Sequence, residues 1–83
     1  MPNCYLYILY SKSKDKYYTG ISNDPHNRLI RHNRGHSKST KSGVPWVLVH
    51  TEDFDSKSSA MKREYYIKSQ KSRKFIEDLI SKK

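Results

Sequence analysis

The sequence predicts an α+β domain in which a small three-stranded antiparallel sheet is flanked by helices. Two apolar and aromatic segments near the start of the chain are joined by a short polar turn, which is typical of a hairpin. A third such segment lies near the middle, and three others carry the caps or the apolar spacing of helices. With 83 residues the chain fits one compact domain, and we assign residues 1–83 to it.

The three predicted strands are apolar segments bounded by polar residues. Residues 4–10 (CYLYILY) and 16–22 (KYYTGIS) flank the polar turn 11–15 (SKSKD), so the two strands should pair antiparallel. Residues 44–51 (VPWVLVHT) predict the third strand. Proline cannot donate to a strand ladder, so Pro45 places the start of this strand at a sheet edge or at an unpaired position.

Three helices are predicted from their caps and their apolar spacing. The first begins at Asp24, a good N-cap, has Pro25 in its first turn and ends at Gly35. The second is expected over about residues 57–69, and a third, short helix over about residues 72–81.

The remaining segments are predicted to be irregular. Residues 36–43 (HSKSTKSG) are polar and should form a flexible loop. The acidic residues Glu52, Asp53 and Asp55 precede the second helix, and we interpret them as loop and capping residues, with Asp55 or the following serine as the cap. Residues 81–83 are expected to fray.

The charge of the chain favours an anionic partner. The chain has 17 Lys and Arg against 8 Asp and Glu, a net charge of +9. So large an excess on a small domain suggests nucleic acid. Alternatively, the lysines only keep the surface soluble, and the lysines spread among serines at 11–16, 37–42 and 68–74 fit this explanation about equally well.

The composition argues against a membrane or secreted protein. The longest apolar runs, YLYILY and VPWVLV, are far too short to span a bilayer, and no secretory signal pattern is visible. The one cysteine, Cys4, cannot form an internal disulfide, so we expect a reducing cytoplasm. Because Cys4 lies in a strand pattern, we interpret it as a small apolar residue rather than a nucleophile.

The histidines match no zinc signature. They stand at positions 26, 32, 36 and 50. His32 and His36 are four residues apart, but Gly35 should end the helix between them. Arg28 and His32 are also four apart and share one face of the first helix, at the edge of its packed side. No phosphate-binding glycine-rich loop or nucleophile elbow is visible.

A glutamate on the second helix is the most informative anomaly. Glu64 falls in the apolar stripe of Ala60 and Ile67 rather than on the opposite face. A buried carboxylate is costly unless it is paired or bound to a cation. An ordinary helix ion pair from Glu64 to Lys68 is the alternative, and helix geometry alone leaves both open.

Taken in order, five segments resemble the GIY-YIG nuclease family, in its small single-domain bacterial branch (UPF0213-like). YLY at 5–7 stands where that family has Gly-Ile-Tyr, and YTG at 18–20 stands where it has Tyr-Ile-Gly. NRLIRHN at 27–33 is similar to its arginine-bearing helix, and PWVLVH at 45–50 to its third strand. SAMKREYYIK at 59–68 carries its helix glutamate. The resemblance covers nearly the whole chain.

The resemblance implies a metal-dependent endonuclease that hydrolyses DNA phosphodiester bonds, in a process such as DNA repair or recombination. It implies one divalent metal, Mg²⁺ or Mn²⁺. The catalytic residues that it implies are Tyr7, Tyr18, Arg28, His32 and Glu64, and Glu64 is the implied metal ligand.

These residue types fit phosphodiester hydrolysis. Arg28 can match phosphate oxygens with its planar fork. A metal ion held by Glu64 can stabilise the leaving oxygen. Tyr7 can act as a general base if a neighbour such as His32 draws off its proton. Tyr18 would then position water or phosphate.

The chain departs from the family pattern at two positions. Tyr5 replaces the first motif's glycine, which is not catalytic in the family, and Ile21 stands where some relatives carry a lysine. No appended DNA-binding domain is visible, so we expect specificity to be low or supplied by a protein partner.

Two other functions are consistent with this sequence. One is a non-catalytic nucleic-acid-binding module that retains the fold and the basic surface. The other, less favoured, is a scaffold whose charge contacts an acidic protein. The filled family positions favour the nuclease, because a pure binding module has no need for Glu64 in an apolar stripe.

Overall fold

A computed structural model describes residues 3–36 and 38–81, except for the side chain of Ser39. The sheet is antiparallel with strand order β2-β1-β3. Its strands are β1 (Cys4–Ser11), β2 (Lys16–Ser22) and β3 (Trp46–Phe54). The helices are α1 (Pro25–Asn33), α2 (Lys38–Lys41), α3 (Lys57–Ser69) and α4 (Arg73–Ser81). The predicted α+β fold with a three-stranded antiparallel sheet is confirmed. The assignment of residues 1–83 to one domain stays a prediction.

The central strand forms the middle of the core. Leu6, Tyr7, Ile8 and Leu9 of β1 are all buried. Since successive strand side chains point to opposite faces, both faces of β1 are covered. Helix α3 lies mainly against β1 and β2, and α1 against β3 and β1. Tyr7, Leu9 and Trp46 form a cluster of buried apolar side chains. The partly buried side chains of Tyr18, Leu29 and Leu48 pack against it.

Helix α1 begins and ends where its sequence predicts. The side chain of Asp24 accepts a hydrogen bond from the Asn27 amide at 3.2 Å, and Pro25 occupies the first turn. Gly35 follows the helix with φ +77°, a left-handed conformation that glycine adopts without steric cost. These caps fix the orientation of the helix that carries Arg28 and His32.

The third strand is longer than predicted. It extends to Phe54, so the interpretation of Glu52 and Asp53 as loop residues was wrong. Glu52 lies opposite Leu6 in the β1–β3 ladder, and its carboxylate accepts two hydrogen bonds from Arg63 of α3 at 2.9 and 3.2 Å. The arginine compensates a carboxylate that the strand pattern alone disfavours. The strand begins at Trp46 rather than at the predicted residue 44, so Pro45 lies just before it. The predicted position at a sheet edge is confirmed.

Part of the predicted loop 36–43 is helical. Residues 38–41 form the short helix α2. Thr40 is buried there, and its carbonyl accepts a hydrogen bond from Trp46 Nε1 at 2.7 Å. The prediction of a flexible loop was wrong because this turn is held by a tertiary hydrogen bond, which has no periodic signature in the sequence.

The last two helices agree with their predictions. Helix α3 is capped by Ser56, whose side chain accepts a hydrogen bond from the Ser59 amide at 3.2 Å. Helix α4 begins one residue later than expected, which is within the usual uncertainty of a helix end. The predicted fraying concerns residues 81–83. Ser81 is the last residue of α4, and residues 82 and 83 lie outside the described residues.

Candidate active site

Tyr7 places a buried phenol at the centre of the sheet. Its side chain is only 2% exposed, and its hydroxyl oxygen lies 3.2 Å from Nε2 of His32. Gly20 is directly opposite Tyr7 in the β1–β2 ladder. A Cβ atom at Gly20 would lie 2.7 Å from the Tyr7 hydroxyl oxygen, so the tyrosine ring occupies the space that a side chain would need.

His32 links this phenol to helix α2. The imidazole is 5% exposed and lies in the last turn of α1. Its Nδ1 atom is 2.7 Å from Oγ1 of Thr40. Both ring nitrogens therefore have partners, and these partners fix the orientation of the ring. Burial, followed by the positive charges of Arg28 and Arg31, lowers the pKa of His32 below its usual value. The ring is therefore neutral at neutral pH.

Tyr18 completes the aromatic wall of the site. Its ring centroid is 5.0 Å from that of His32 in an edge-on arrangement and 6.4 Å from that of Tyr7. It also contacts Trp46 edge-on, with a centroid separation of 6.3 Å. These contacts hold the Tyr18 ring beside the hydrogen bond between Tyr7 and His32.

Arg28 lies one helical turn before His32 and is exposed. Its positive charge lowers the pKa of both Tyr7 and His32. An exposed guanidinium beside a buried phenol and a neutral imidazole can receive an anionic group from solvent.

Glu64 reaches the site from α3. Its side chain is 23% exposed, and Oε2 lies 3.1 Å from Nζ of Lys68. The ion pair that the sequence left as an alternative is thus present. The Glu64 charge also raises the pKa of Tyr7, so the carboxylate is close enough to act on the phenol. The carboxylate is half-buried, between the fully buried stripe and the open surface.

The environment of Tyr7 keeps its proton in place. Burial raises its pKa to about 12, Tyr18 and Glu64 also raise it, and Arg28 acts in the opposite direction. The phenol is therefore neutral at neutral pH, and the base within hydrogen-bond distance of its hydroxyl is Nε2 of His32.

The structure brings Tyr7, Tyr18 and His32 together, and the charges of Arg28 and Glu64 act on Tyr7. Two further residues were not singled out by the sequence. Thr40 contacts His32, as described above. Asn33 donates through its side-chain amide to the Trp46 carbonyl at 3.0 Å and accepts from the Trp46 amide, which ties α1 to β3. No pattern in the sequence indicates a contact of the Thr40 hydroxyl with the site. Asn33, in contrast, lies inside the arginine-helix motif at 27–33.

His50 has a partner of its own on the third strand. His50 lies 2.9 Å from the Glu52 carboxylate on β3. Among residues 3–36 and 38–81, no three His, Cys, Asp or Glu side chains come together as a metal cluster. None of the helices in these ranges is both long and apolar enough to cross a membrane.

Fold and site together define a class of protein: a small α+β domain in which a central-strand tyrosine meets a helix histidine, near an arginine and a glutamate on separate helices. Comparison with known proteins assigns the family. The family model of the GIY-YIG catalytic domain matches residues 3–76. This chain therefore belongs to the GIY-YIG family.

Relatives match over most of the chain. A UPF0213 protein of Halobacterium salinarum is 51% identical over 57 residues, which cover 68% of this chain and 74% of that protein. A UPF0213 protein of Staphylococcus haemolyticus is 45% identical over 83 residues, covering 94% and 99% of the two chains. The solution NMR structure of a UPF0213 protein from Bacillus halodurans has a TM-score of 0.61 and 40% identity, covering 95% of this chain and 83% of that chain.

Proposed function

We propose that this protein is a divalent-metal-dependent endonuclease that hydrolyses phosphodiester bonds in DNA. One observation carries the proposal: the Tyr7 hydroxyl lies 3.2 Å from His32 Nε2, within reach of the charges of Arg28 and Glu64. Membership of the GIY-YIG family supports a nuclease. The five residues Tyr7, Tyr18, Arg28, His32 and Glu64 are the proposed catalytic set.

The first proposed step removes a proton from water. Since the pKa of Tyr7 is raised and that of His32 is lowered, the resting pair is a neutral phenol beside a neutral imidazole. In the proposed relay, water gives its proton to Tyr7 as Tyr7 gives its own to His32 Nε2. This relay requires the tautomer in which Nδ1–H donates to Thr40 Oγ1, leaving Nε2 free to accept.

The second step is attack on phosphorus. The oxygen of the deprotonated water forms a bond to phosphorus, the P–O bond to the leaving oxygen breaks, and that oxygen takes a proton from solvent. Arg28 can hold the non-bridging oxygens with two parallel hydrogen bonds, because its side chain is exposed and lies one helical turn before His32. Tyr18 is proposed to position the water or the phosphate against the rings that it already contacts.

The donor set fits a divalent cation held by a single protein carboxylate. Glu64 already balances a positive charge, that of Lys68 at 3.1 Å. Mg²⁺ commonly keeps several waters and binds one or two carboxylates together with substrate phosphates, and Mn²⁺ favours the same oxygen ligands. Glu64 would hold the ion once its pair with Lys68 opens. When bound, such an ion stabilises the charge on the leaving oxygen.

The basic surface supports DNA as the partner. With a net charge of +9, the protein should release counterions from a bound strand, so affinity should fall steeply as salt rises. A titration of a fluorescent oligonucleotide in chelator, at low and physiological salt, measures this. A flat response would contradict a nucleic-acid partner.

We further propose a cytoplasmic protein acting in DNA repair or recombination, with any sequence or structure preference supplied by a protein partner.

A second candidate function is a non-catalytic nucleic-acid-binding module. The ion pair between Glu64 and Lys68 favours it, because the pair gives the glutamate a structural role that needs no metal.

A substrate panel separates the two functions. Branched, single-stranded and supercoiled duplex DNA are incubated with Mg²⁺, with Mn²⁺ or with chelator, using wild type and His32→Gln. His50→Gln is the matched control, since the imidazole of His50 pairs with Glu52 rather than with Tyr7. The nuclease predicts metal-dependent nicking that His32→Gln loses and His50→Gln retains. Binding without nicking of any substrate would assign the binding module instead.

A further inference from the structure

A pocket next to the proposed catalytic residues has no assigned role. It has a volume of about 650 Å³, within the range of pockets that hold small organic ligands. Its lining comes from the start of β1, the end of β2, α1 and the first turn of α3. Arg28 lines it, whereas Tyr7, Tyr18, His32 and Glu64 do not. The pocket therefore extends the proposed site away from the buried phenol, on the side of Arg28.

The charges around this pocket favour an anion at its rim. Arg28 and Lys57 are its cationic side chains, and Asp55 is its one acidic side chain. Lys57 is the first residue of α3, and no acidic residue stands in the first turn of that helix. The partial positive charge of the helix start therefore adds to the two side-chain cations rather than being neutralised within the helix.

The rest of the lining offers both apolar and hydrogen-bonding surface. Ile21 and Cys4 contribute apolar surface from β2 and β1. Asn23 contributes an exposed side-chain amide from the segment between β2 and α1. An amide has both donors and an acceptor, which suits the edge of a nucleobase. An anion-binding rim next to apolar and amide surface matches the parts of a nucleotide.

We propose that this pocket binds the nucleotide next to the scissile phosphate of a DNA strand. The phosphate of that nucleotide lies between Arg28 and Lys57, and its sugar and base lie over Ile21 and Cys4. The inference rests on the proposed function, because Arg28 is shared between the pocket and the proposed catalytic set. A strand fits better than a free nucleotide, because Arg28 belongs both to the pocket and to the site at which the strand is proposed to be cut.

Cys4 supplies a direct readout of occupancy. It is the one cysteine of the chain, lines the pocket and is half-buried. The rate of its alkylation by N-ethylmaleimide is measured in chelator, with and without a short single-stranded oligodeoxynucleotide. At about ten times the Kd only about a tenth of the protein is free, so the rate should fall about tenfold. A deoxynucleoside monophosphate at the same concentration should leave the rate unchanged.

Two substitutions on α3 form a matched pair. Lys57→Ala removes a pocket cation, and Lys62→Ala removes the same charge from an exposed position about 140° around the helix. Lys57→Ala should weaken oligonucleotide binding. It should also reduce the slope of log affinity against log salt concentration by about one, as expected for the loss of one phosphate contact. Lys62→Ala should change the affinity and its salt dependence less than Lys57→Ala does, because it only lowers the net charge of the protein. Equal effects of the two substitutions would overturn the inference.

Filling the pocket gives a test that does not depend on the reactivity of Cys4. Asn23→Trp places a large ring at an exposed loop position of the lining. Thermal melts establish that the variant is folded, and its oligonucleotide affinity should fall several-fold. Unchanged affinity in Asn23→Trp would contradict occupancy of the pocket by the strand, even if the thiol of wild type proved inert.

The outcomes separate this inference from the nuclease proposal. Protection of Cys4 without any metal-dependent nicking would support binding of the strand in the pocket and reject the nuclease proposal. Nicking with full alkylation of Cys4 under saturating DNA would keep the nuclease and reject the pocket. Protection by the monophosphate alone would reassign the pocket to free nucleotides and overturn the inference.

Discussion

The hydroxyl of Tyr7 and Nε2 of His32 are 3.2 Å apart, and this contact joins the central strand to the last turn of α1. The pKa shifts of the two groups have opposite directions: that of Tyr7 is raised to about 12, and that of His32 is lowered. Burial is the largest cause in both cases, because it disfavours the charged form of each group. The pair is therefore neutral at rest and suited to passing a proton rather than to holding a charge.

Removing the Tyr7 hydroxyl tests the proposed relay. Tyr7→Phe keeps the ring in the buried cluster but leaves His32 Nε2 without its partner, so unfolding should become easier by about 1 kcal/mol. Nicking should fall at least about a hundredfold, as expected for loss of a general base. The matched control is Tyr10→Phe, which removes a hydroxyl bonded to Asp15. Equal activity of the two variants would reject the relay.

The pH dependence of stability and activity should reflect His32. Its folded-state pKa lies below the unfolded value of 6.5, so the unfolded chain takes up the proton first as the pH falls. The stability that neutral His32 contributes is thus present above pH 6.5 and is lost as the pH falls below it. Activity should persist to a lower pH than an ordinary histidine would allow. Urea titrations of wild type and His32→Gln, and nicking rates of wild type, from pH 5 to pH 8 measure both. A variant with the wild-type profile would refute this assignment.

Arg28 should act through its shape as well as its charge. Arg28→Lys keeps the positive charge but loses the paired hydrogen bonds to a phosphate. Since Arg28 is exposed, the melting temperature should change little, while nicking should fall about a hundredfold. Arg31→Lys is the control on the same helix, and it should retain activity. Full activity of Arg28→Lys would mean that Arg28 is a surface residue without a role in cleavage.

Local signals predicted the parts of the fold that local chemistry controls. The Asp24 cap, Pro25 and the left-handed Gly35 define α1 in both sequence and structure. The same holds for the β1–β2 hairpin, whose register brings Gly20 opposite Tyr7. The ordered motifs placed the candidate residues on elements that do meet. These features depend on neighbours in the chain, which a sequence pattern records.

Tertiary contacts produced the features that the sequence could not predict. The Thr40 turn is held by Trp46, and Glu52 lies in a strand because Arg63 of a later helix balances its charge. Trp46 is six residues from Thr40 and Arg63 is eleven from Glu52, and neither pair lies within one helix or strand, so no helical or strand period relates them. For Glu64, the apolar stripe predicted burial, whereas the carboxylate sits at the edge of the stripe and reaches Lys68. Helical spacing gives the direction of a side chain, but not how far its neighbours cover it.

The central claim is that Glu64 holds the metal ion that cleavage needs, and Glu64→Gln tests it most directly. The substitution keeps the size of the side chain but removes the charge that binds a cation. Because the carboxylate is 23% exposed and its partner is an exposed helix lysine, stability in chelator should change by only about a few tenths of a kcal/mol. Glu77→Gln makes the same chemical change in the exposed ion pair with Arg73 on α4 and serves as the control.

The decisive measurement is nicking of supercoiled DNA in Mn²⁺ by wild type, Glu64→Gln and Glu77→Gln side by side, with thermal melts of each protein with and without the metal. We expect Glu64→Gln to bind DNA but not cut it, and to lose any increase in melting temperature that Mn²⁺ gives the wild type. Glu77→Gln should behave as wild type in both assays. A Glu64→Gln protein that cuts at the wild-type rate would contradict the account.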